Sequence, residues 1–384
     1  MWNSLPKPTV RAWTPPTWHA FSACATAQSS ASWQPPPAER YFAITRVPNR
    51  QKSKEGRLLL KKAVAPQLPR HSDSRGIYMT VAHSVSKRHF RILVDFPAVR
   101  GFLVRVYRQN WQNGVPAPFL EYALSADWAD QTLTHRNAIW EDNGSPVAFC
   151  FYESKPGSAF FNLDPDYGFL AADMIDHAEA QLCGADGSVR LQLFEGQSAL
   201  LRAAERKGYR MTHTYNERLF DLRKPLDYAL PEGYRFVAPS CIDTGKLLLC
   251  CWKGFNHESE GPWDGRIDPG LRTRLAPHAT PEYYVIVEHI ASGEYVCYAG
   301  MWWLPENKLA YMEPLCTVPN HRKKGLAAAA LSEMARRMRP LGADWMTGGS
   351  NEFYTRIGYE RGIQWMTYEK ERAPVSAACT AVSD

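Results

Sequence analysis

Two Gly-Tyr dipeptides, at 208–209 and 358–359, stand 150 residues apart, and the segments that precede them share one layout. The first runs SPVAFCFYES (145–154), SAFFNLDP (158–165), a helical run over 169–182, SVRLQLF (188–194), a second helical run from Ser198, and KGYRMTHTYNERLFDL (207–222). The second runs EYVCYAGMWWLP (294–305), KLAYMEPLCTVP (308–319), a helical run over 325–339, ADWMT (343–347) and NEFYTRIGYERGIQWMTYEK (351–370). Both read strand, strand, helix, strand, short helix, Gly-Tyr, strand. Self-similarity at a fixed period marks a duplicated unit. Strands joined through crossover helices imply a mixed sheet with helices on both faces. The expected fold class is therefore α/β with a mixed (α+β) sheet, built twice.

The join falls near 222–233, where KPLDYALPEG carries two prolines and a glycine. The second unit opens with YRFVAP (234–239) and a helical stretch through LLLCCW. A polar loop, FNHESEGPWDG (255–265), and the strand PEYYVIVEHI follow. Residues 1–78 are rich in Pro, Ser and basic residues, with no sustained period, and are expected to be disordered. Three readings of that segment stay open. It is a disordered extension, a transit peptide (against which its prolines argue), or sequence ahead of a true start at Met79. The expected division is a 1–78 extension, domains at 79–224 and 225–372, and a polar tail at 373–384.

The formal charge of +6 misleads when taken as a whole. Residues 1–78 hold 12 Lys and Arg against Glu39, Glu55 and Asp73, so they carry +9 and the remainder carries −3. A mildly acidic folded part offers no general nucleic-acid surface. No apolar run approaches the ~20 residues that span a bilayer, so no membrane partner is expected. The nine cysteines include no C-x-x-C pair and no His-rich cluster accompanies them, so no metal site is expected. Free thiols and the lack of a secretory leader point to a reducing cytoplasm.

Against that background VPNHRKKGLAAAALSEM (318–334) is a local anomaly. Arg322, Lys323 and Lys324 crowd the N-terminal end of a helix, where the helix dipole disfavours cations. An anionic ligand resolves the conflict. The unpaired N–H groups of the first turn, the flanking cations and the side-chain-free Gly325 make a site suited to a pyrophosphate. Leu326, Ala327, Ala330, Leu331, Met334, Ala335 and Met338 fall on one face of this helix, and Ser332, Glu333, Arg336 and Arg337 on the other. Pro340 and Gly342 stop it. P-loop and dinucleotide fingerprints are both missing from the chain.

These residues resemble the acyl-CoA-binding motif of the GNAT acyltransferase superfamily, Gln/Arg-x-x-Gly-x-Gly/Ala, here Arg322-Lys323-Lys324-Gly325-Leu326-Ala327. The preceding Leu-Cys-Thr-Val-Pro is similar to the family's strand-then-proline entry, and NEFYTRIGY resembles its Asn…Phe-Tyr-x-x-x-Gly-aromatic signature. The resemblance implies two tandem GNAT-like folds, each with a central sheet splayed between its fourth and fifth strands. It implies acetyl-CoA as co-substrate, with the pantetheine in that gap. Backbone groups at Leu315, Cys316 and Thr317 would meet its amides, and the cofactor would also touch Arg322, Lys323, Lys324, Gly325, Leu326, Ala327 and Asn351. Tyr354 falls where the family often keeps its general acid.

Glu313 is the candidate base, because it lies on the strand that leads into the turn. Glu288 and His289, on the neighbouring strand, are weaker alternatives. Cys316 has no adjacent His and reads as small core packing. The loop at 255–265 offers His257, Glu258, Glu260, Trp263 and Asp264 to a cationic acceptor. The first unit lacks these parts: after Asp164-Pro165 it reads Asp166-Tyr167-Gly168-Phe169-Leu170, and Ala204 stands where the second unit has Tyr354. It is read as degenerate, with one active site per chain. The expected activity is transfer of an acetyl group from acetyl-CoA to a primary amine of a small molecule or peptide, by direct attack in a ternary complex. The rivals are a non-catalytic acyl-CoA sensor, an aminoacyl transferase acting from charged tRNA, and a nucleic-acid factor working through the basic extension.

Overall fold

The computed structural model describes residues 84–370. The basic extension, the Met79 start and the polar tail lie outside the described residues. The first half runs β1 (Val85–His89), α1 (Ile92–Val106), α2 (Ala117–Ser125), β2 (Ala138–Asp142), β3 (Ser145–Phe151), β4 (Ser158–Leu163), α3 (Ala171–Gln181), β5 (Arg190–Phe194), α4 (Ser198–Arg206) and β6 (Tyr209–Asp221). The second runs β7 (Tyr234–Phe236), α5 (Thr244–Gly254), α6 (Asp268–Arg274), β8 (Val285–His289), β9 (Glu294–Leu304), β10 (Leu309–Thr317), α7 (Leu326–Met338), β11 (Trp345–Thr347), α8 (Glu352–Arg356) and β12 (Glu360–Lys370). The repeat read from the sequence reappears element for element. Gly208 and Gly358 both take left-handed backbone, φ 87° and 99°, to turn the short helix into the last strand, a conformation glycine adopts without a Cβ penalty.

Among the described residues all twelve strands form one sheet, in the order β1-β2-β3-β4-β5-β12-β6-β11-β10-β9-β8-β7. Each half has its one parallel pair between its fourth and fifth strands, β4 with β5 and β10 with β11. The last strands are exchanged. β12 pairs with β5 and β6 pairs with β11, while β6 and β12 run antiparallel from Tyr209↔Lys370 to Leu219↔Glu360. Each repeat therefore completes its sheet with the other's terminal strand, and the unit of sequence duplication is not a self-contained sheet.

Burial explains why this holds. β3 and β9 are near-continuous apolar runs, as strands covered on both faces must be. One core lies under α3 and α4, a second under α5, α7 and α8. A third lies on the opposite face and crosses both halves. It joins Phe149, Phe151 and Phe160 of the first half to Trp302, Leu304, Leu309 and Tyr311 of the second through Leu219, Ile363 and Trp365 of the exchanged strands. α1 and α2 cover it. Phe119 of α2 lies 6.1 Å from Trp365, and Tyr122 lies 6.2 Å from Trp302.

The sequence reading did not place α1 or α2. Val99, Phe102, Leu103 and Val106 have helical spacing and are buried, but Pro97 and Gly101 interrupt the pattern. The reading of α7 also needs correction, because Ser332 and Arg337, expected on the outer face, are buried. The linker between the halves runs over that face: the Tyr228 N–H donates to Ser332 Oγ at 3.0 Å. The Arg337 guanidinium donates to the Tyr284 carbonyl at 2.7 Å and to Glu333 at 2.8 Å, which satisfies its buried charge.

Candidate active site

The pairing of β10 with β11 stops after Leu309↔Trp345 and Ala310↔Met346, because β11 is only three residues long. Beyond that point β10 keeps β9 on one edge, through Leu315↔Ala299, Cys316↔Tyr298 and Thr317↔Cys297, and has no strand on the other. The Met312 N–H donates to Thr347 Oγ1 at 2.7 Å and closes the inner end of the gap. The register shifts between Met312 and Leu315. Opposite the shift, a Cβ on Gly300 would lie 2.2 Å from the Glu313 carbonyl oxygen, so only glycine fits.

Past Thr317 the chain makes a turn in which Lys323 and Gly325 are left-handed, φ 60° and 84°, and α7 begins at Leu326 with no side chain capping it. Its first N–H groups therefore carry the uncompensated partial positive charge of a helix start. The three cations divide. Arg322 points inward: its Nε donates to the Thr317 carbonyl at 2.9 Å, and its Nη2 donates to the Gly254 carbonyl at 2.8 Å and to Asn256 Oδ1 at 2.9 Å. It braces the end of β10 against the C-terminus of α5. Lys323 and Lys324 are exposed. Lys324 Nζ lies 3.4 Å from the Tyr234 hydroxyl, which lies 3.0 Å from His321 Nδ1. Burial and the nearby Lys324 hold His321 below the ordinary imidazole value. Half-buried Leu315 and Thr317 flank buried Cys316, packed so tightly that a Cβ on Gly254 would lie 2.8 Å from its sulfur.

Asn351 caps α8, its Oδ1 accepting from the Phe353 N–H at 3.0 Å. The cap fixes Tyr354 on the next turn, with its ring 5.2 Å from Phe353 and 5.1 Å from Tyr359. Burial, then the charges of Glu313 and Glu217, push the Tyr354 phenol well above its usual value. Tyr354 and Glu313 are thus brought together where the sheet opens.

Burial pushes Glu313 up to about 8, and Glu153 adds to the effect. Two further carboxylates share the region. Glu217 is pushed up to about 8 by burial and by Glu313, and Glu153 up to about 7 by burial. The sequence reading missed both, although a signal was present. Each glutamate extends a strand face that is otherwise apolar or aromatic: Leu309, Tyr311, Glu313; Tyr215, Glu217, Leu219; Phe149, Phe151, Glu153. All three faces belong to the core under α1 and α2. Among the described residues no cation pairs with any of the three.

Most of the other candidates for base and acceptor contact have partners of their own. Glu288 is paired with Arg235 at 2.6 Å, and His289 Nδ1 lies 2.9 Å from Ser292 Oγ. In the 255–265 loop His257 pairs with Glu260 at 2.8 Å, Asp264 accepts from the Arg266 N–H, Trp263 lies against Trp252, and Glu258 is exposed. In the first half, the turn after β4 carries Asp164 and Asp166, and Asp164 caps it by accepting from the Asp166 N–H. Among the described residues no group of three or more His, Cys, Asp or Glu is arranged to hold a metal ion, and no helix is long and apolar enough to cross a membrane.

Residues 246–359 match the family described as Acetyltransferase (GNAT). Residues 246–359 thus form a GNAT acetyltransferase domain. The fold agrees. The GCN5-related N-acetyltransferase from Sphaerobacter thermophilus superposes with a TM-score of 0.50 at 17% identity, over 74% of this chain and 95% of that one. A GNAT-family acetyltransferase from Colwellia psychrerythraea also gives 0.50, at 10% identity over 75% and 100%. A tandem GNAT protein from the clavulanic acid biosynthesis pathway gives 0.49, at 13% identity over 75% and 99%. No curated protein sequence matches the chain. The first two matches extend over more of the chain than either half contains, so the likeness of fold reaches into the first half as well. The open edge of β10 and the uncapped start of α7 lie inside the matched GNAT segment.

Proposed function

We propose that the GNAT domain transfers an acetyl group from acetyl-CoA to a primary amine, by direct attack in a ternary complex, at one site per chain. The division of labour would follow the 79–224 and 225–372 units. The observation that carries this reading is the placing of Glu313 and Tyr354 at the sheet opening beside the uncapped start of α7. The free edge of β10 at Leu315, Cys316 and Thr317 fits the amides of an extended thioester arm. The N–H groups of Leu326 and Ala327, with Lys323 and Lys324, fit a pyrophosphate. Arg322 and Asn351 support the same turn and helix from within.

In this reading ionised Glu313 draws a proton from the acceptor ammonium and frees the nitrogen lone pair. The nitrogen forms its bond to the thioester carbonyl carbon as the carbon–sulfur bond breaks. Tyr354 gives its proton to the departing thiolate, and the surplus amide proton returns through water to the phenolate. Glu313 then releases its proton to solvent, so one proton leaves per turnover. With its base pushed up to about 8, kcat/KM should rise with pH and level off above that value. The test is calorimetry with acetyl-CoA, followed by acetylation of an amine panel by wild type and Tyr354→Phe. Binding without turnover of any amine favours a sensor, and no binding removes the reading.

A further inference from the structure

We infer that Glu153 and Glu217, with Tyr122, Tyr215, Tyr311 and Trp365, form a subsite for a second positive charge on the acceptor, which is therefore a short linear diamine with one nitrogen at Glu313 and the other between Glu153 and Glu217. The inference rests on the acetyl-transfer reading of the same site and names its substrate class.

Geometry carries it. Glu313 on β10 and Glu217 on β6 flank the gap that opens where β11, the strand between them, ends at Thr347. Glu153, two residues past β3, reaches the same region beneath α2, where Tyr122 lies close to both Glu313 and Glu153. Three carboxylates in a desolvated space repel one another, and leaving them without counter-charge is costly. Their raised proton affinities express that cost. Among the described residues no three such side chains are grouped to hold a metal ion, and carboxylates set on or just past three separate strands match charges spaced along a chain.

Two buried aromatic side chains face the same space, and one of them has a polar atom without a partner. Tyr311 is 5% exposed, and its hydroxyl lies near Glu313, Glu217 and Glu153. Trp365 is 7% exposed and its indole Nε1 approaches Glu217 without a formed hydrogen bond. Trp365 stacks on Tyr215 at 5.4 Å, which fixes its indole edge beside Glu217. Both extra carboxylates come from the first half, which gives the half without the anion turn a chemical task.

The test compares 1,4-diaminobutane with butylamine, using the full chain and acetyl-CoA. The expected kcat/KM ratio favours the diamine by about 10- to 100-fold, the worth of one desolvated charged hydrogen bond. Diamine binding should release protons as the carboxyls ionise, read from the dependence of its heat on buffer ionisation. Glu153→Gln and Glu217→Gln, isosteric with the protonated acids and checked for native circular dichroism, should bring the ratio close to one. Equal turnover of both amines by wild type, or a ratio unmoved in both variants, overturns the subsite and leaves the acetyl-transfer reading standing. Diamine heat with proton release but no turnover supports the subsite and removes the transfer reading.

Discussion

Replacing Glu313 with Gln isolates one buried carboxyl without changing its shape. Its proton affinity in the folded chain is pushed from the ordinary 4.5 up to about 8, so the folded state holds a proton that the unfolded state has lost over that whole window. Stability therefore falls as pH rises from 4.5 to 8 and levels off above. At about 1.36 kcal/mol per unit the ceiling is about 5 kcal/mol. Water reaching the half-buried group and its coupling to Glu153 and Glu217 reduce this to about 2–3 kcal/mol. Urea denaturation at pH 5 and pH 9 measures it. The two proteins should agree within about 1 kcal/mol at pH 5, and Glu313→Gln should be the more stable by about 2–3 kcal/mol at pH 9. A gap that stays constant with pH, or a wild type that gains on the variant as pH rises, would show that Glu313 is not held in a desolvated site.

Tyr354→Phe should lower kcat by about 10²- to 10⁴-fold while leaving acetyl-CoA affinity by calorimetry unchanged. Arg322→Ala removes hydrogen bonds to Thr317, Gly254 and Asn256 and should cost about 1.5–3 kcal/mol in urea denaturation. Lys323→Ala and Lys324→Ala should stay within about 0.5 kcal/mol of wild type and instead weaken acetyl-CoA binding in a salt-dependent way. Gly300→Ala would set a Cβ 2.2 Å from the Glu313 carbonyl oxygen and should destabilise by about 3 kcal/mol or more, seen as a lowered Tm. Trp365→Ala should cost about 3–5 kcal/mol and, by hydrogen exchange, deprotect β5 of the first half together with β6, because Trp365 packs 4.9 Å from Phe194 on an exchanged strand.

Much of this was legible before any coordinates. The order of elements in both halves follows from hydrophobic period and punctuation, and the turn at 319–325 from cations set against a helix dipole. Glu313 could be singled out because it lies on the strand leading into that turn, and Tyr354 because NEFYTRIGY resembles a family signature. Arg322 and Asn351 could be named but not assigned a partner, since bracing Gly254 or capping Phe353 is a matter of which backbone lies nearby. α1 was hidden by Pro97 and Gly101. Glu153 and Glu217 were hidden because a single glutamate on or just past a strand is read as solvated until a covering helix is in place.

The sequence by itself determined the duplicated layout, and the basic Arg-x-x-Gly turn that the second half carries and the first half lacks. Those are local properties, set by period, helix ends and the chemistry of a few adjacent side chains. The tertiary structure alone decided that the halves exchange their last strands, that α1 and α2 roof a core common to both, and that half-buried carboxylates from β10, β6 and the end of β3 share one region. The reason is physical: strand partners far apart in sequence are not encoded by local period, and the exchanged strands bury Trp365, Ile363 and Leu219 in a core that both halves share.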